Sequence, residues 1–178
     1  MVKSGLSHNL RFELVEIGQW RGEVNKYKRH GVPDFGWKFL VGKIIKEMHI
    51  NAEKNVLRFI LDNGDLIYAS AVGDCCSTSW FEDIEYAECL YNNTILKIFE
   101  REMPERFRDE KTIDKDFIEL YGWTMETQSG RCDIEMRNQS NGYYGGEVIV
   151  SDVISDQYHT EVDEHFKPSK DLFICAKG

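Results

Sequence analysis

The tetrapeptide Asp62-Asn63-Gly64-Asp65 interrupts two runs of strand-like sequence and constrains the fold more than any other stretch. Asn-Gly accepts the positive φ angles of a type I′ turn, so it predicts a hairpin between its flanks. On one flank, Val56 to Leu61 sets Leu57, Phe59 and Leu61 on one face against Arg58 on the other. On the other flank, Leu66 to Val72 returns as the next strand. Upstream, Ile44, Met48 and Ile50 share a parity in a run that ends at Asn51, and Asn51 to Asn55 reads as a turn. Three strands joined by short turns make an antiparallel meander.

Downstream, Thr94 to Glu102, Phe117 to Thr127 and Glu147 to Ile154 also read as strands. The cleanest alternation is Arg131 to Arg137, with Cys132, Ile134 and Met136 on the buried side. Between the meander and these strands the period changes. Ser79 with Glu82 three residues on is a capping-box pattern, and Trp80, Ile84, Ala87 and Tyr91 fall at helical spacing. Glu82, Asp83 and Glu85 suit the positive end of a helix dipole. The spacing predicts a helix of about three turns, packed on the meander and ended by Asn92-Asn93. The expected class is therefore α+β: a mostly antiparallel sheet, meander or small half-barrel, with at least one packed helix after Gly73–Ser77. Leu10 to Ile17 alternates as a strand. Trp20, Tyr27, Phe35 and Trp37 would pin the loop that follows it, residues 103–116 form a charged connector, and the tail from Ser155 would dock through Leu172, Phe173 and Ile174.

A chain of 178 residues can bury one core without staples, and nothing in it reads as a linker, so it is expected to be a single domain. The net charge of -9 opposes sequence-independent binding to nucleic acid and docking on anionic lipid. An acidic mimic of nucleic acid is disfavoured by the lysines and arginines that punctuate the charge. No apolar run approaches the ~20 residues needed to span a bilayer. The first residues carry no apolar signal-peptide core, and five cysteines without a C-x-x-C pair read as reduced thiols. Together these features predict a cytoplasmic address.

Two stretches could carry chemistry. In Gly73-Asp74-Cys75-Cys76-Ser77, a thiol just ahead of a helix N-terminus would have its pKa lowered and could serve as nucleophile or metal ligand. Asp74 or a spatially close His30 or His49 would be the base. Adjacent side chains on an extended backbone point to opposite faces, so Cys75 and Cys76 would not share a role. The plainer reading has one thiol filling the core and the other packing under the helix. The second stretch runs from Arg137 to Gly146. Asn138, Ser140 and Asn141 can bond the loop to itself, Tyr143 and Tyr144 offer flat faces with hydroxyl tips, and Arg137 could grip a carboxylate or phosphate. The alternative there is a self-bonded turn whose tyrosines cover the sheet end. A zinc site would need Cys75 or Cys76 gathered with Cys89, Cys132 and scattered histidines, and His159 with His165 lies in an acidic, hydrated segment; no metal and no cofactor is expected.

Taken together, GDCCSTSWFEDI at 73–84 and CDIEMRNQSNGYYGG at 132–146 resemble an uncharacterised bacterial and phage domain family of unknown function. The resemblance covers roughly residues 40–150, leaving an N-terminal extension of 1–39 and an acidic tail of 155–178. It lends no catalytic residue or ligand, but it implies a bacterial or phage origin and a joint role for the two stretches. The leading expectation is a non-enzymatic module that binds a protein or small molecule. The alternative is a thiol-dependent enzyme built on Cys75 or Cys76.

Overall fold

A computed structural model describes residues 32–109, 116–154 and 166–168. The expected strand at Leu10–Ile17, Trp20, Tyr27, His30, the His159–His165 segment and Leu172–Ile174 lie outside the described residues.

Two antiparallel sheets share one core. The first carries β1 (Ile44–Asn51), β2 (Val56–Leu61), β3 (Leu66–Gly73), β10 (Gly146–Ser151) and the three-residue β11 (Phe166–Pro168), in the order β10-β3-β2-β1-β11. The short β5 (Asn93–Thr94) also pairs with β1. The second sheet carries β4 (Thr78–Glu85), β9 (Gly130–Ser140), β8 (Phe117–Thr127) and β6 (Lys97–Glu100) in that order, with β7 (Phe107–Arg108) on β8. The meander is β1-β2-β3, as the alternation requires. Its hairpin turn differs from the type I′ expectation. Only Gly64 takes a positive φ, 88°, while the Gly64 N–H donates to the Leu61 carbonyl at 3.0 Å. This is the three-residue solution with a glycine bulge, and Asn63 Oδ1 closes it by accepting from the Asp65 N–H at 3.0 Å.

The expected helix is replaced by strand. Residues 78–85 pair with β9, and the only helical backbone among the described residues is two 3₁₀ turns, Trp37–Leu40 and Ala87–Leu90. The described residues are thus almost wholly antiparallel β, with a half-barrel sheet and no packed helix among them. The misleading spacing has a physical cause. A β-bulge between Phe81 and Asp83 shifts the register, so Phe81 and Ile84, three apart, both turn inward. Tyr86 then takes a left-handed φ of 58°, and the 3₁₀ turn buries Ala87 and Leu90. A bulge, a left-handed residue and a 3₁₀ turn together reproduce the three-residue spacing that a helix would show. Ser79, read as a helix cap, is buried in the strand instead.

The core fills from both sheets: Met48, Ile50, Leu57 and Phe59 from the first, and Phe81, Ile84, Met125, Ile134 and Met136 from the second. Trp37 ties them together, edge-on to Phe59 at 6.3 Å and 5.4 Å from Trp123. Phe35 packs on Phe39 at 4.8 Å, and the Phe35 N–H donates to the Val150 carbonyl of β10. No helix among the described residues is long and apolar enough to cross a membrane.

Tyr91 follows the second 3₁₀ turn and bridges to Ile45. Burial pushes its phenol up from 10 to about 12, with Cys132, Glu88 and Glu47 adding to the effect. In the unfolded chain the phenol ionises near 10, whereas the folded chain keeps its proton to about 12. Stability supplied by this group is therefore complete below pH 10 and lost as pH climbs towards 12. Urea denaturation across that window should show the fall, and Tyr91→Phe should make it shallower.

Candidate functional site

The chain leaves the first sheet after Gly73 and enters the second at Thr78; it leaves the second after Ser140 and rejoins the first at Gly146. These crossings are the two conspicuous stretches of the sequence. Because β3 pairs with β10 while β4 pairs with β9, the crossings must lie side by side. Gly73 is the direct partner of Gly146, and Ser79 that of Asn138.

Hydrogen bonds clasp them. The Gly145 carbonyl accepts from the Asp74 N–H at 3.1 Å and from the Ser77 hydroxyl at 3.1 Å. Ser79 Oγ donates to Asn138 Oδ1 at 2.9 Å, and Asn138 Nδ2 donates to the Tyr144 carbonyl at 3.0 Å. Asn138 is fully buried. The Gly146 N–H donates to the Tyr121 hydroxyl, which donates in turn to Glu119. Burial, reinforced by Glu119, raises the Tyr121 phenol and so keeps the proton that this relay needs. The approach leaves no room for side chains: a Cβ on Gly73 would stand 2.5 Å from Ser77 Oγ, and one on Gly146 2.5 Å from Ser79 Oγ.

On this base the loop projects Tyr143, 85% exposed and edge-on to the half-buried Tyr144 at 5.2 Å. Ser140 Oγ accepts from the Gly142 N–H and Asn141 Oδ1 from the Tyr143 N–H, both at 3.0 Å. Arg106 reaches in from the charged connector to donate to the Gly142 carbonyl at 3.0 Å, its guanidinium 4.7 Å from the centre of the Phe117 ring. Arg108 stands over the same ring at 4.9 Å.

The candidate residues therefore divide. Asn138 and Ser140 are buried and hold the loop; Asn141 is exposed and shapes its tip. Tyr143 is presented to solvent. Arg137, expected to grip a ligand, is already committed: its Nε donates to Glu135 at 2.8 Å, Glu82 lies 3.5 Å away, and the guanidinium covers Phe107. Cys75 and Cys76 are both exposed, so neither fills the core, and no helix N-terminus stands behind them to lower a thiol pKa. The Cys76 thiol is instead pushed up by its hydrogen bond to Cys75. That removes the stated basis for the thiol-enzyme reading. Cys132 is fully buried, as its alternation requires, and burial raises its thiol. Among the described residues, no group of three or more His, Cys, Asp or Glu side chains is placed to hold a metal ion.

Two contributors escaped the sequence reading. Tyr121 carried no signal of its own, and Arg106 was hidden in the connector. On the face of the first sheet away from the core, His49 Nδ1 accepts from Arg58 at 2.7 Å and Nε2 donates to Glu47 at 2.9 Å. Both histidine nitrogens are thereby engaged. Only the cross-strand pairing of His49 with Arg58, visible once β1 and β2 are in register, could have revealed this.

No curated protein and no solved structure matches the chain. Residues 38–150 match the model of DUF7448, a domain of unknown function, and the chain belongs to that family.

Proposed function

We propose that the protein is a non-enzymatic binding module whose contact surface is the Asn141–Tyr144 tip, with Tyr143 as its anchor. One observation carries this reading: an aromatic side chain stands almost fully in solvent on a loop whose backbone is tied down on every side. Preorganised aromatic anchors cost little conformational entropy on binding and dominate interface energetics. A protein surface is the partner class that suits a projecting, rather than concave, feature. The cysteines at 75, 76, 89 and 132 are free thiols, which supports placing the module in the reducing cytoplasm.

The test is Tyr143→Ala in a pull-down from a bacterial extract, beside the melting curve. Because the ring is exposed, its removal should change stability by less than about 0.5 kcal/mol. Partner retention should fall by roughly thirtyfold, as expected for loss of a hot-spot tyrosine. Unchanged capture by this variant would remove the tip from the binding surface.

A further inference from the structure

The pair Cys75 and Cys76 is left unused by the binding reading, and its geometry differs from that of neighbours on a strand. The Ser77 N–H donates to the Asp74 carbonyl at 2.8 Å, so the two cysteines are the central residues of a β-turn. Their sulfurs lie 3.8 Å apart, and both residues are exposed. The turn is held from outside itself, since the Gly145 carbonyl takes both the Asp74 N–H and the Ser77 hydroxyl. The thiols are thus accessible, paired and preorganised, which lowers the entropy cost of engaging both at once.

We propose that Cys75 and Cys76 form a chelating dithiol site for a soft, thiophilic centre that takes two sulfur ligands, trivalent arsenic being the type case. Soft thiolate ligands select such centres. Among the described residues no third ligating side chain joins them, so the four-ligand cage of structural zinc is not built here. With an aryl arsenoxide the reaction is a condensation. Two As–S bonds form, the arsenic–oxygen bond breaks, and the oxygen leaves as water with both thiol protons. Nothing is oxidised or reduced. The Cys76 thiol already donates to the Cys75 sulfur, so both sulfurs are in place before the reagent arrives.

Phenylarsine oxide, added at one equivalent to the full chain in excess monothiol, provides the test by intact mass. One adduct per chain is expected, with the mass of the reagent less one water. Alkylation followed by peptide mapping should find Cys75 and Cys76 blocked in the wild-type protein. Cys75→Ser and Cys76→Ser should each reduce retention by about a hundredfold or more, the gain that a second tethered ligand confers. Cys89→Ser and Cys175→Ser should leave it unchanged. Absence of an adduct on the wild-type chain, mapping to another cysteine, or retention by either single serine variant would overturn the proposal.

Discussion

Phe59→Ala is expected to destabilise the protein by about 3–5 kcal/mol, enough to lower the thermal midpoint by roughly 10 °C in a chain of this size. Phe59 is fully buried on β2, opposite Met48 on β1 and Ile67 on β3. It also receives Trp37, which in turn meets Trp123 of the second sheet. Removing the ring therefore opens a cavity where the two sheets are joined. The walls come from separate strands already fixed by ladder hydrogen bonds, so they can collapse only partly into the space. Urea denaturation should show a lower midpoint with an unchanged slope, and Phe59→Leu should recover most of the loss. A cost below about 1 kcal/mol would show that the sheets do not meet through this contact.

Asn138→Ala should cost about 2–4 kcal/mol although it removes few apolar atoms. The Asn138 amide joins the Ser79 hydroxyl to the Tyr144 carbonyl, and the side chain is fully buried. Truncation leaves the buried Ser79 hydroxyl and the part-buried Tyr144 carbonyl without their partner, which costs more than the bonds themselves contributed. Ser79→Ala should cost only about 1 kcal/mol, and the double variant should cost less than the sum, because the two side chains form one network. The consequence for function is separable. Tyr143→Ala leaves the loop in place and removes the anchor, whereas Asn138→Ala leaves the anchor and releases the loop. Both should weaken capture, but only the second should speed amide hydrogen exchange at Gly145 and Gly146. Faster exchange with undiminished capture would mean that the tip does not need its rigid base.

The resemblance carried by two short stretches corresponds to family membership over residues 38–150. Those stretches meet as the paired crossings between the sheets. No spacing rule could have paired Ser79 with Asn138, fifty-nine residues away, or brought Arg106 to the Gly142 carbonyl. Likewise, a solvated Arg137 and an ion-paired one look alike in sequence. Only the arrival of Glu82 and Glu135 beside it distinguishes them.

What the chain alone determined is what depends on near neighbours. Strand periodicity at Val56–Leu61, Leu66–Val72 and Arg131–Arg137, and the glycine that lets the chain reverse at Gly64, follow from backbone sterics and from which side chains avoid water. The tertiary structure decided residues 78–90. Their three-residue spacing satisfies a helix and a bulged strand equally well, and local propensity cannot rank the two. The open edge of β9 offered backbone partners along the length of β4, burying Phe81 and Ile84 against the meander. The same decision placed Cys75 and Cys76 in a turn between sheets, where their sulfurs converge.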